Sequence, residues 1–598
     1  MTASPAAAGP DSAVAGSPPA VPLPRSLTNR RWRLIPQSLA ADQLGRSANI
    51  PAVVAMLLAQ RGVADAQQAE QFLSPGLDQL HDPYQMAGMA AAVDHIWRAV
   101  EQREPILIYG DYDVDGTVSV VLLKTAIETI GGVCTFHVPH RLRDGYGMHP
   151  EPIERAAADG IRLVISVDTG IRAFAAAAQA SALGLDLIVT DHHLPDHAGI
   201  PAAFAVLNPN QPGCPYPCKF LCGAGVAFKV AQALLERQDR ERARSHLLPS
   251  FLKLLAIATV ADSVPLLNEN RAFVALGLQQ LGRPVQPGLR TLLELANVDP
   301  CRITARDIAF RLAPRLNAAG RMDVAGDIVE LFTTRDASQA RLLAEKLHRL
   351  NDERRAAEQA ALEEIDRRLS LDDTSPCIVL DGHGWHRGVI GILASRIVER
   401  TGKPALVLAH EDGAAHGSGR SVEGFQLLDA LTACAASLTR FGGHAHAVGF
   451  SLPSDRVEEF RESLLAYAAL NPPRGDGASL DCHAELPLGE ITPELQTWLE
   501  RLGPHGMDNP EPQFIARRIT LLEDARILKG AHLKLRLRDR SERSETTALG
   551  WRLAKLAEQV PIKRGQQADI VYRLRRPAPG WQSGREIELV DLAPLAEH

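Results

Sequence analysis

The chain is 598 residues long, more than a single hydrophobic core organises, so we expect several domains. Hydrophobic residues make up 45% and charged residues 23% of it, as in ordinary globular proteins, and no apolar run is long enough to span a bilayer, so we expect no membrane partner. The formal net charge of −7 argues against nucleic-acid binding by the chain as a whole, so such binding would require a local basic region.

The N-terminal residues predict disorder rather than export. Residues 1–30 form a tail rich in Ala, Pro, Ser and Gly, and such a segment buries too little apolar surface to offset its chain entropy. A charged region followed by an apolar core, as in a secretory signal, does not occur there, so we expect a cytoplasmic protein. Residues 31–95 are predicted to form an N-terminal helical region.

Residues 96–335 alternate short apolar runs with helical segments. Five runs are nearly continuous in hydrophobicity, which is typical of parallel strands buried on both faces. The segments Ser119–Ile130 and Pro152–Ala158 suit crossover helices. We therefore predict a doubly wound α/β domain. Its predicted strands are Ile106–Tyr109, Thr135–Pro139, Leu163–Val167, Leu185–Thr190 and Phe204–Leu207.

Acidic residues or histidines follow three of these strands, at the sheet edge where ligands bind in open parallel sheets. Carboxylates this close repel one another unless cations lie between them. A mixture of carboxylate and imidazole suits Mn²⁺ and also tolerates Mg²⁺, and two such ions activate a water and stabilise the leaving oxygen of a phosphoester. The residues are Asp111, Asp113 and Asp115 after the first strand, Asp168 after the third, and Asp191, His192 and His193 after the fourth.

Each of these signals has a second interpretation. The Asp-x-Asp-x-Asp-Gly run resembles the start of a calcium loop, but the twelfth position counted from Asp111 is Leu122 rather than Glu. A lone His-His pair is more often structural than metal-binding. Three such signals at the strand ends of one domain favour a dinuclear metal centre over a structural role.

Eight cysteines are scattered over the chain, and in a cytoplasmic protein they are expected to be reduced thiols. Cys214, Cys218 and Cys222 stand at four-residue steps, which leaves open a second interpretation as three ligands of a zinc site. Because the spacing is not Cys-x-x-Cys and no obvious fourth ligand exists, reduced thiols are favoured.

The remaining chain predicts a long helix, a second lobe and a barrel. Residues 336–371 are rich in Ala, Leu, Glu, Arg and Lys and predict a connecting helix. Residues 372–472 begin a second α/β pattern, and residues 473–598 have short alternating runs that predict a small β-barrel. Residues 515–576 contain 16 Lys and Arg but only 7 Asp and Glu. This excess of positive charge favours a groove that binds a single strand over an ordinary solvated surface.

The order of these motifs resembles the DHH phosphoesterases, and within them the single-stranded-DNA-specific exonucleases. The resemblance covers roughly Leu39 to Leu592 and implies two α/β lobes, DHH and DHHA1, joined by the long helix and followed by an oligonucleotide-binding (OB) barrel. The segments that carry it are Gly110–Ser119, Pro139–Gly147, Ile257–Leu267, Arg315–Met322, Trp385–Gly391, Gly417–Ser421, Phe441–Ala445 and Gly503–Phe514.

The resemblance implies a ligand set for two divalent ions, with Mn²⁺ preferred and Mg²⁺ as the alternative. One ion is held by Asp113 and Asp168. The second is held by Asp115, Asp168, His192 and Asp262, so that Asp168 bridges the two. Five ligands at separated positions of one domain are then expected to meet at a single centre.

The resemblance also implies two catalytic residues beside the metals. Asp191 is expected to orient the neighbouring histidines, and His193 to face the substrate phosphate and protonate it or donate a hydrogen bond to it. Asp111 is not assigned to a metal, because relatives vary at this position.

Six further residues are implied to bind the nucleic acid. A guanidinium suits this task because it meets phosphate oxygens in a bidentate geometry. His444, within a Gly-Gly-His-Ala turn, either binds the substrate or only fixes its loop. The implied roles are contact with the nucleotide for Arg141 and Tyr146, binding of the 5′-terminal phosphate for Arg321, Ser418 and Arg420, and a site role for His444.

The function implied is that of a monomeric 5′-to-3′ exonuclease that hydrolyses single-stranded DNA to 5′-mononucleotides in repair and recombination. A single-strand-binding protein and a helicase are the expected partners. Two alternatives stay open: a small-substrate phosphoesterase acting on very short RNA, cyclic dinucleotides or pyrophosphate, and a non-catalytic DNA-binding protein. Deletion from about Gly475 onward is expected to discriminate, since a small substrate needs no barrel.

Overall fold

The computed structural model describes ten stretches of the chain, which group into two compact units. The larger unit contains the described residues of 39–473 and 493–511, and the smaller unit those of 26–36, 479–492 and 512–595. The smaller unit begins with strand β1 (Arg31–Leu34). The predictions for residues 1–25 and for Tyr146 fall outside the described residues. The described residues are 26–36, 39–141, 143–145, 147–322, 325–369, 375–473, 479–539, 545–557, 562–575 and 585–595.

The larger unit opens with four helices that precede its first sheet. The second is apolar along its whole length and has five consecutive buried residues, and the third is capped by Asp65, whose side chain accepts a hydrogen bond from Gln68 N. The fourth buries an apolar stripe that includes Val93 and Ile96. The helices are α1 (Leu39–Ala48), α2 (Ala52–Ala59), α3 (Ala66–Leu73) and α4 (Met89–Glu101).

A five-stranded parallel sheet follows and confirms the predicted doubly wound α/β domain. The strand order is β3-β2-β4-β5-β6, so the topology switches direction between β2 and β4. Ligands bind at such a switch point, outside the carboxyl ends of the strands. The elements are β2 (Ile106–Tyr109), α5 (Val114–Thr129), β3 (Cys134–His137), α6 (Pro150–Ala158), β4 (Leu163–Val167), α7 (Phe174–Ala182), β5 (Asp186–Thr190) and β6 (Ala205–Leu207).

A layer of helices completes the first lobe. Helix α5 has twelve buried residues and packs against the first two helices of this layer. Two short π-helical segments, Ala243–Leu247 and Ile308–Leu312, interrupt the layer. Its α-helices are α8 (Gly223–Arg242), α9 (Leu248–Ala261), α10 (Asn268–Leu281), α11 (Pro287–Leu295), α12 (Ala305–Asp307), α13 (Ala313–Met322) and α14 (Gly326–Thr333).

The predicted connecting helix is present as α15 (Ala337–Arg368), which has 32 residues. Asp336 caps its first turn by accepting hydrogen bonds from the backbone N–H groups of Ser338 and Gln339. In its first half, Ala344 and Leu347 join the core of the first lobe, whereas Ala361 and Ile365 join the core of the second lobe. The helix therefore belongs to the cores of both lobes.

The second lobe is a mixed sheet of order β10-β11-β9-β8-β7, in which only the β7–β8 pair is parallel. The apolar residues of β8 are fully buried between the helices of this lobe. The elements are β7 (Ile378–His383), α16 (Ile390–Thr401), β8 (Ala405–Glu411), β9 (Ala414–Arg420), α17 (Leu427–Ala433), β10 (Arg440–Gly443), β11 (Ala447–Pro453) and α18 (Val457–Leu470).

Residues 493–511, here called the return segment, also belong to the larger unit. They begin with α19 (Pro493–Glu500). The buried guanidinium of Arg271 donates hydrogen bonds to the carbonyl oxygens of Arg501, Leu502 and Gly503. The backbone N–H of Leu266 donates to the carbonyl oxygen of Met507 over 2.9 Å. The return segment is thus held by the first lobe, although in sequence it lies within the predicted C-terminal domain.

The smaller unit contains the predicted barrel. Strand β14 pairs with both β18 and β16, which closes the circuit β14-β18-β19-β17-β16. Strand β1 adds to β12 in parallel, and buried Asp591 accepts hydrogen bonds from Trp32 Nε1 and Thr28. The elements are β12 (Ser479–Cys482), β13 (Ala484–Glu485), β14 (Phe514–Leu521), β15 (Arg526–Leu528), β16 (His532–Arg538), β17 (Thr546–Gly550), α20 (Ala554–Ala557), β18 (Gln567–Leu574) and β19 (Arg585–Pro594).

The eight cysteines are free thiols, and seven of them are buried. Burial raises the pKa of Cys218 to about 11 and that of Cys222 well above its ordinary value, which favours the protonated thiol over a metal-binding thiolate. Among the described residues, no group of side chains placed to hold a metal contains a cysteine. The zinc interpretation of Cys214, Cys218 and Cys222 is therefore not supported.

Within the described chain, no helix is both long and apolar enough to cross a membrane.

Candidate metal centre and phosphate site

The turn after β2 brings two carboxylates into the crevice at the topological switch point. Asp113 caps α5, where its Oδ1 accepts a hydrogen bond from Gly116 N over 2.9 Å. A Cβ at Gly116 would lie 2.6 Å from the carbonyl oxygen of Asp111, so only glycine permits this close turn. Asp115 lies in the first turn of α5 and is 3% exposed. The tight turn therefore directs successive acidic residues to one edge of the sheet.

Asp115 is fixed by the start of another helix. Its two carboxylate oxygens accept hydrogen bonds from Gly223 N over 2.6 Å and from Ala224 N over 2.9 Å, at the first turn of α8. The positive end of a helix dipole stabilises a carboxylate at this position. A Cβ at Gly223 would lie 2.5 Å from Asp168 Cβ, so α8 approaches both aspartates through a glycine.

Asp168 occupies a strained backbone position at the end of β4. Its φ of 59° is uncommon for any residue other than glycine, and the backbone is held there by a hydrogen bond from Asp168 N to the carbonyl oxygen of Thr190. Its side chain is buried, and Oδ1 lies 3.2 Å from His192 Nε2 without accepting a hydrogen bond from any described residue. A buried carboxylate oxygen without a hydrogen-bond partner, on a residue whose backbone is strained, is typical of a metal ligand.

The Asp-His-His motif after β5 is organised around Asp191. Asp191 Oδ1 accepts hydrogen bonds from His193 Nδ1 over 2.7 Å and from the backbone N–H groups of both histidines, and Oδ2 accepts one from Ile171 N. Burial alone would raise the pKa of Asp191, but the hydrogen bonds outweigh it and lower that pKa. Burial would lower the pKa of His193, but the hydrogen bond that its ring donates to the Asp191 carboxylate outweighs burial, and the net effect raises that pKa.

His192 faces three carboxylates. Its Nε2 lies 3.2 Å from Asp168 Oδ1 and 3.8 Å from both Asp115 Oδ2 and Asp262 Oδ2. Burial lowers the pKa of His192, which favours the neutral imidazole that a metal requires. Asp262 follows the last residue of α9, and its Oδ2 is buried without a hydrogen-bond partner among the described residues.

The potential ligands form three overlapping groups, within each of which the ligand atoms lie within 4.8 Å of one another. All five metal ligands that the resemblance implied are present in them. Asp111, which follows the first strand and was not assigned to a metal from the sequence, joins one of these groups: it is 3% exposed, and its Oδ1 has no hydrogen-bond partner among the described residues. The groups are Asp111, Asp113 and Asp168; Asp115, His192 and Asp262; and Asp168, His192 and His193.

The electrostatics of this cluster favour bound cations. Burial and the neighbouring Asp113 carboxylate raise the pKa of Asp111 to about 8, and burial with the Asp115 and Asp113 carboxylates raises that of Asp262 to about 9. Burial and the surrounding carboxylates also hold the pKa of Asp168 well above its ordinary value. Carboxylates in such surroundings ionise at neutral pH only when positive charge is supplied. The oxygen-rich ligand set with one imidazole fits Mn²⁺ or Mg²⁺.

Two asparagines that the sequence analysis missed support the histidines. Asn208 Nδ2 donates to the carbonyl oxygen of His193, and Asn210 Nδ2 donates to that of His192, each over 2.8 Å. Both asparagines closely follow β6, the strand next to β5. Because they follow another strand of the same sheet, the sequence could have indicated that they lie near the histidines.

A second cluster of opposite charge contains the predicted phosphate-binding residues. Arg420 Nη1 donates to Ser418 Oγ over 3.2 Å, and a Cβ at Gly391, in the first turn of α16, would meet both side chains within 3.3 Å. Arg321 Nη1 donates to the carbonyl oxygen of Gly388. Burial lowers the pKa of Arg321 to about 10, and repulsion from Arg141, Arg354 and Arg420 adds to this effect.

This arrangement brings together Arg141, Arg321, Ser418 and Arg420 from both lobes. Arg141 also lies over the ring of Tyr112, 5.1 Å from its centroid. His444 lies in the exposed turn between β10 and β11, where its backbone N–H donates to the carbonyl oxygen of Ala447. Whether its side chain binds substrate stays a prediction. Mutually repelling guanidiniums beside a helix N-terminus form a site suited to an anion such as phosphate.

The chain matches three domain families: the DHH family, N-terminal domain, over residues 105–259, the DHHA1 domain over 374–469, and the RecJ OB domain over 482–590. It is 39% identical to the single-stranded-DNA-specific exonuclease RecJ of Dickeya dadantii, with 81% of this chain and 87% of the relative covered. It is 36% identical to RecJ of Bacillus subtilis, with 89% and 67% covered.

Solved structures give the same comparison at the level of the fold. The crystal structure of RecJ from Thermus thermophilus in complex with Mn²⁺ matches with a TM-score of 0.80 at 29% identity, covering 95% of this chain and 80% of that one. The complex of the same protein with Mg²⁺ matches with a TM-score of 0.73 at 28% identity, covering 95% and 79%.

Proposed function

This chain belongs to the RecJ family of single-stranded-DNA-specific exonucleases, and we propose that it removes 5′-mononucleotides from the 5′ end of single-stranded DNA in repair and recombination. It is a metal-dependent nuclease of the DHH phosphoesterases. The observation that carries the proposal is the pairing of an acidic centre with an arginine cluster in one compact unit, whereas the 5′-to-3′ polarity is what the resemblance to the family implies. One cluster suits the reacting phosphodiester and the other a terminal phosphate.

The metal ligands proposed are those that the sequence implied, with one addition. Asp113 and Asp168 would hold one divalent ion together with Asp111, and Asp115, Asp168, His192 and Asp262 would hold the other. Two bound ions of this kind activate a water for attack on phosphorus and stabilise the leaving oxygen. The unpartnered oxygens of Asp168 and Asp262 support the proposal, because buried carboxylate oxygens are normally satisfied.

His193 is proposed as the group that meets the substrate phosphate. His193 Nδ1 donates a hydrogen bond to Asp191 Oδ1, so the opposite ring nitrogen, Nε2, faces away from Asp191. The pKa of His193 is raised by this partner, which favours an imidazolium able to donate a hydrogen bond to a phosphate oxygen or a proton to the leaving 3′ oxygen. The Asn208 contact holds the backbone of His193 in place.

The arginine cluster is proposed to set the polarity. Arg321, Arg420 and Ser418, with the N-terminus of α16, would bind a 5′-terminal phosphate through charge-assisted hydrogen bonds. The first phosphodiester of the strand would then reach the metal centre. The basic barrel would bind the following strand along its backbone, and its affinity would fall steeply with salt.

The deciding experiment uses a long single strand labelled at either end, beside a matched blunt duplex, with Mn²⁺. We expect mononucleotides to be released only from the 5′ end of the single strand, and more rapidly when that end carries a phosphate. Release from the 3′ end would contradict the assigned phosphate anchor. Hydrolysis of dinucleotides or pyrophosphate without cleavage of long DNA would assign the protein to the small-substrate branch.

The cellular setting is also a proposal. We propose a monomeric, cytoplasmic enzyme that acts with a helicase, which exposes the strand, and with a single-strand-binding protein, which covers it. Light scattering of the purified protein tests the monomer, and cell fractionation tests the compartment. Co-purification from cells with and without DNase treatment distinguishes direct partners from proteins joined only by DNA.

A further inference from the structure

The backbone of the two histidines in the Asp-His-His motif is held from two sides. Asp191 Oδ1 accepts hydrogen bonds from both backbone N–H groups, over 2.7 Å from His192 and 3.1 Å from His193. The two carbonyl oxygens lie against the turn after β6, where one accepts a hydrogen bond from the Asn210 side chain and the other from that of Asn208. All four backbone polar groups of the pair are therefore satisfied, two by a carboxylate and two by amides.

The turn that carries the asparagines is itself fixed at several points. Asn208 is fully buried, and its Oδ1 accepts a hydrogen bond from Asn210 N over 2.7 Å. Pro209 stands between them and restricts both its own backbone and that of the residue before it. The Lys219 ammonium donates to the Pro209 carbonyl oxygen over 2.7 Å, and Gln211 Nε2 donates to a carbonyl oxygen within β6 over the same distance. Such a turn holds the segment beside it in one position.

The rings of the two histidines differ in their own support. His193 Nδ1 donates to Asp191 Oδ1 over 2.7 Å, and this hydrogen bond orients the ring directly. His192 directs Nε2 toward the carboxylates of the metal centre, and its Nδ1 makes no hydrogen bond to a described residue. A metal-binding histidine normally has a carboxylate, carbonyl or water partner on its second ring nitrogen. The orientation of His192 therefore depends on its backbone, which Asn210 and Asp191 hold.

We propose that the two asparagines are positioning residues with separate roles: Asn210 positions the metal ligand His192, and Asn208 positions His193 for contact with the substrate phosphate. The proposal rests on the proposed function, from which it takes the roles of the two histidines. Loss of the Asn210 contact changes metal affinity, because the His192 ring has no other protein partner to orient it. Loss of the Asn208 contact changes the chemical step, because His193 lies outside the proposed ligand set.

The test measures Mn²⁺ affinity by isothermal titration and kcat on a 5′-phosphorylated single strand at saturating Mn²⁺. Asn210→Ala is expected to bind Mn²⁺ about 10–100-fold more weakly and to recover cleavage as Mn²⁺ is raised. Asn208→Ala is expected to keep wild-type Mn²⁺ affinity, since Lys219 still holds the Pro209–Asn210 peptide, and to lower kcat by about 10–100-fold at every Mn²⁺ concentration. A general loss of structure would instead lower both quantities together in both variants.

Gln211→Ala is the matched control in the same turn. Gln211 is buried, and its side chain donates to the carbonyl oxygens of Val206 and Ala87 rather than to either histidine. We expect this variant to keep both Mn²⁺ affinity and kcat. Thermal unfolding of each variant identifies any loss of folding. Where Asn208→Ala is unstable, Asn208→Ser takes its place, because the shorter side chain withdraws the donor from the His193 carbonyl while a polar group remains.

Two results would overturn the proposal. The first is an equal loss of Mn²⁺ affinity in the two asparagine variants, and the second is the same losses in Gln211→Ala, which would show that only the integrity of the turn matters. If the wild-type protein does not cleave single-stranded DNA, the proposed function fails instead. The Mn²⁺ titrations need no turnover, so weaker binding in Asn210→Ala alone would still support the proposal, and unchanged binding in that variant would reject it.

Discussion

Gly223→Ala tests whether the approach of α8 builds the metal centre. The added Cβ would lie 2.5 Å from Asp168 Cβ and 2.6 Å from its Cγ, well inside van der Waals contact. Asp168 has little freedom to withdraw, because it is 1% exposed and its φ of 59° is held by Thr190. The helix start must therefore shift, and the hydrogen bonds from Gly223 N and Ala224 N to Asp115 weaken with it.

The magnitude follows from two effects. Overpacking at a buried site costs about 1–3 kcal/mol of stability. Disturbing the groups that orient metal ligands costs about 10–100-fold in metal affinity. We therefore expect Gly223→Ala to remain folded and to bind Mn²⁺ about 10–100-fold more weakly, with cleavage partly restored at high Mn²⁺.

Isothermal titration with Mn²⁺ and cleavage measured across a Mn²⁺ series provide the assay. Gly225→Ala is the matched control, because the three atoms nearest to its added Cβ would all belong to the Leu221 side chain, at 3.2 Å or beyond. Single-strand binding measured by anisotropy should be unchanged in both variants. Wild-type Mn²⁺ affinity in Gly223→Ala would refute the idea that this glycine is required for the ligand geometry.

Three further outcomes are expected. Asp168→Ala should abolish cleavage while keeping single-strand affinity, and cleavage at a near-normal rate would remove Asp168 from the ligand set. A chain ending at residue 473 should lose several kcal/mol relative to one ending at residue 511, because Arg271 loses three charge-assisted hydrogen bonds of roughly 1.5–3 kcal/mol each; equal unfolding temperatures would contradict this. Burial would raise the pKa of Asp381, but hydrogen bonds from His410 and Arg461 outweigh it and lower that pKa. The stability that Asp381 contributes should therefore be complete above the unfolded-state pKa of about 3.9 and vanish as pH falls through the lower folded value. Urea titrations of wild type and Asp381→Asn at a series of pH values check this, and a difference that persists at the acid end would count against the assignment.

The contacts of the return segment also change the deletion experiment that the sequence suggested. Deletion from about Gly475 was expected to remove the barrel and spare small-substrate turnover. It would also remove the return segment, whose Met507 carbonyl accepts a hydrogen bond from Leu266 N, four residues after Asp262. Loss of activity after that deletion would therefore not distinguish the two functions. Internal replacement of residues 512–595 keeps these contacts and is the sharper form of the test.

Short-range patterns in the sequence were sufficient for the parallel sheet and most of its site. The predicted strand Leu163–Val167 is observed with the same bounds, and Leu185–Thr190 begins one residue late. Helix α5 begins at Val114 rather than at the predicted Ser119, because Asp113 caps it directly after the turn. Buried runs and the residues that follow them are local properties, so the convergence of carboxylates at one sheet edge was predictable.

Tertiary packing alone decided the rest. The burial of Asp111 depends on the layers around the sheet, and the close approach at Gly223 depends on where α8 begins relative to two distant strands. The return segment joins the first lobe from more than 200 residues away. The hydrophobic period and the capping residues of a helix or strand are contained in its own sequence. Contacts between elements depend on side chains that are far apart in the chain, and no local pattern shows which of them will meet.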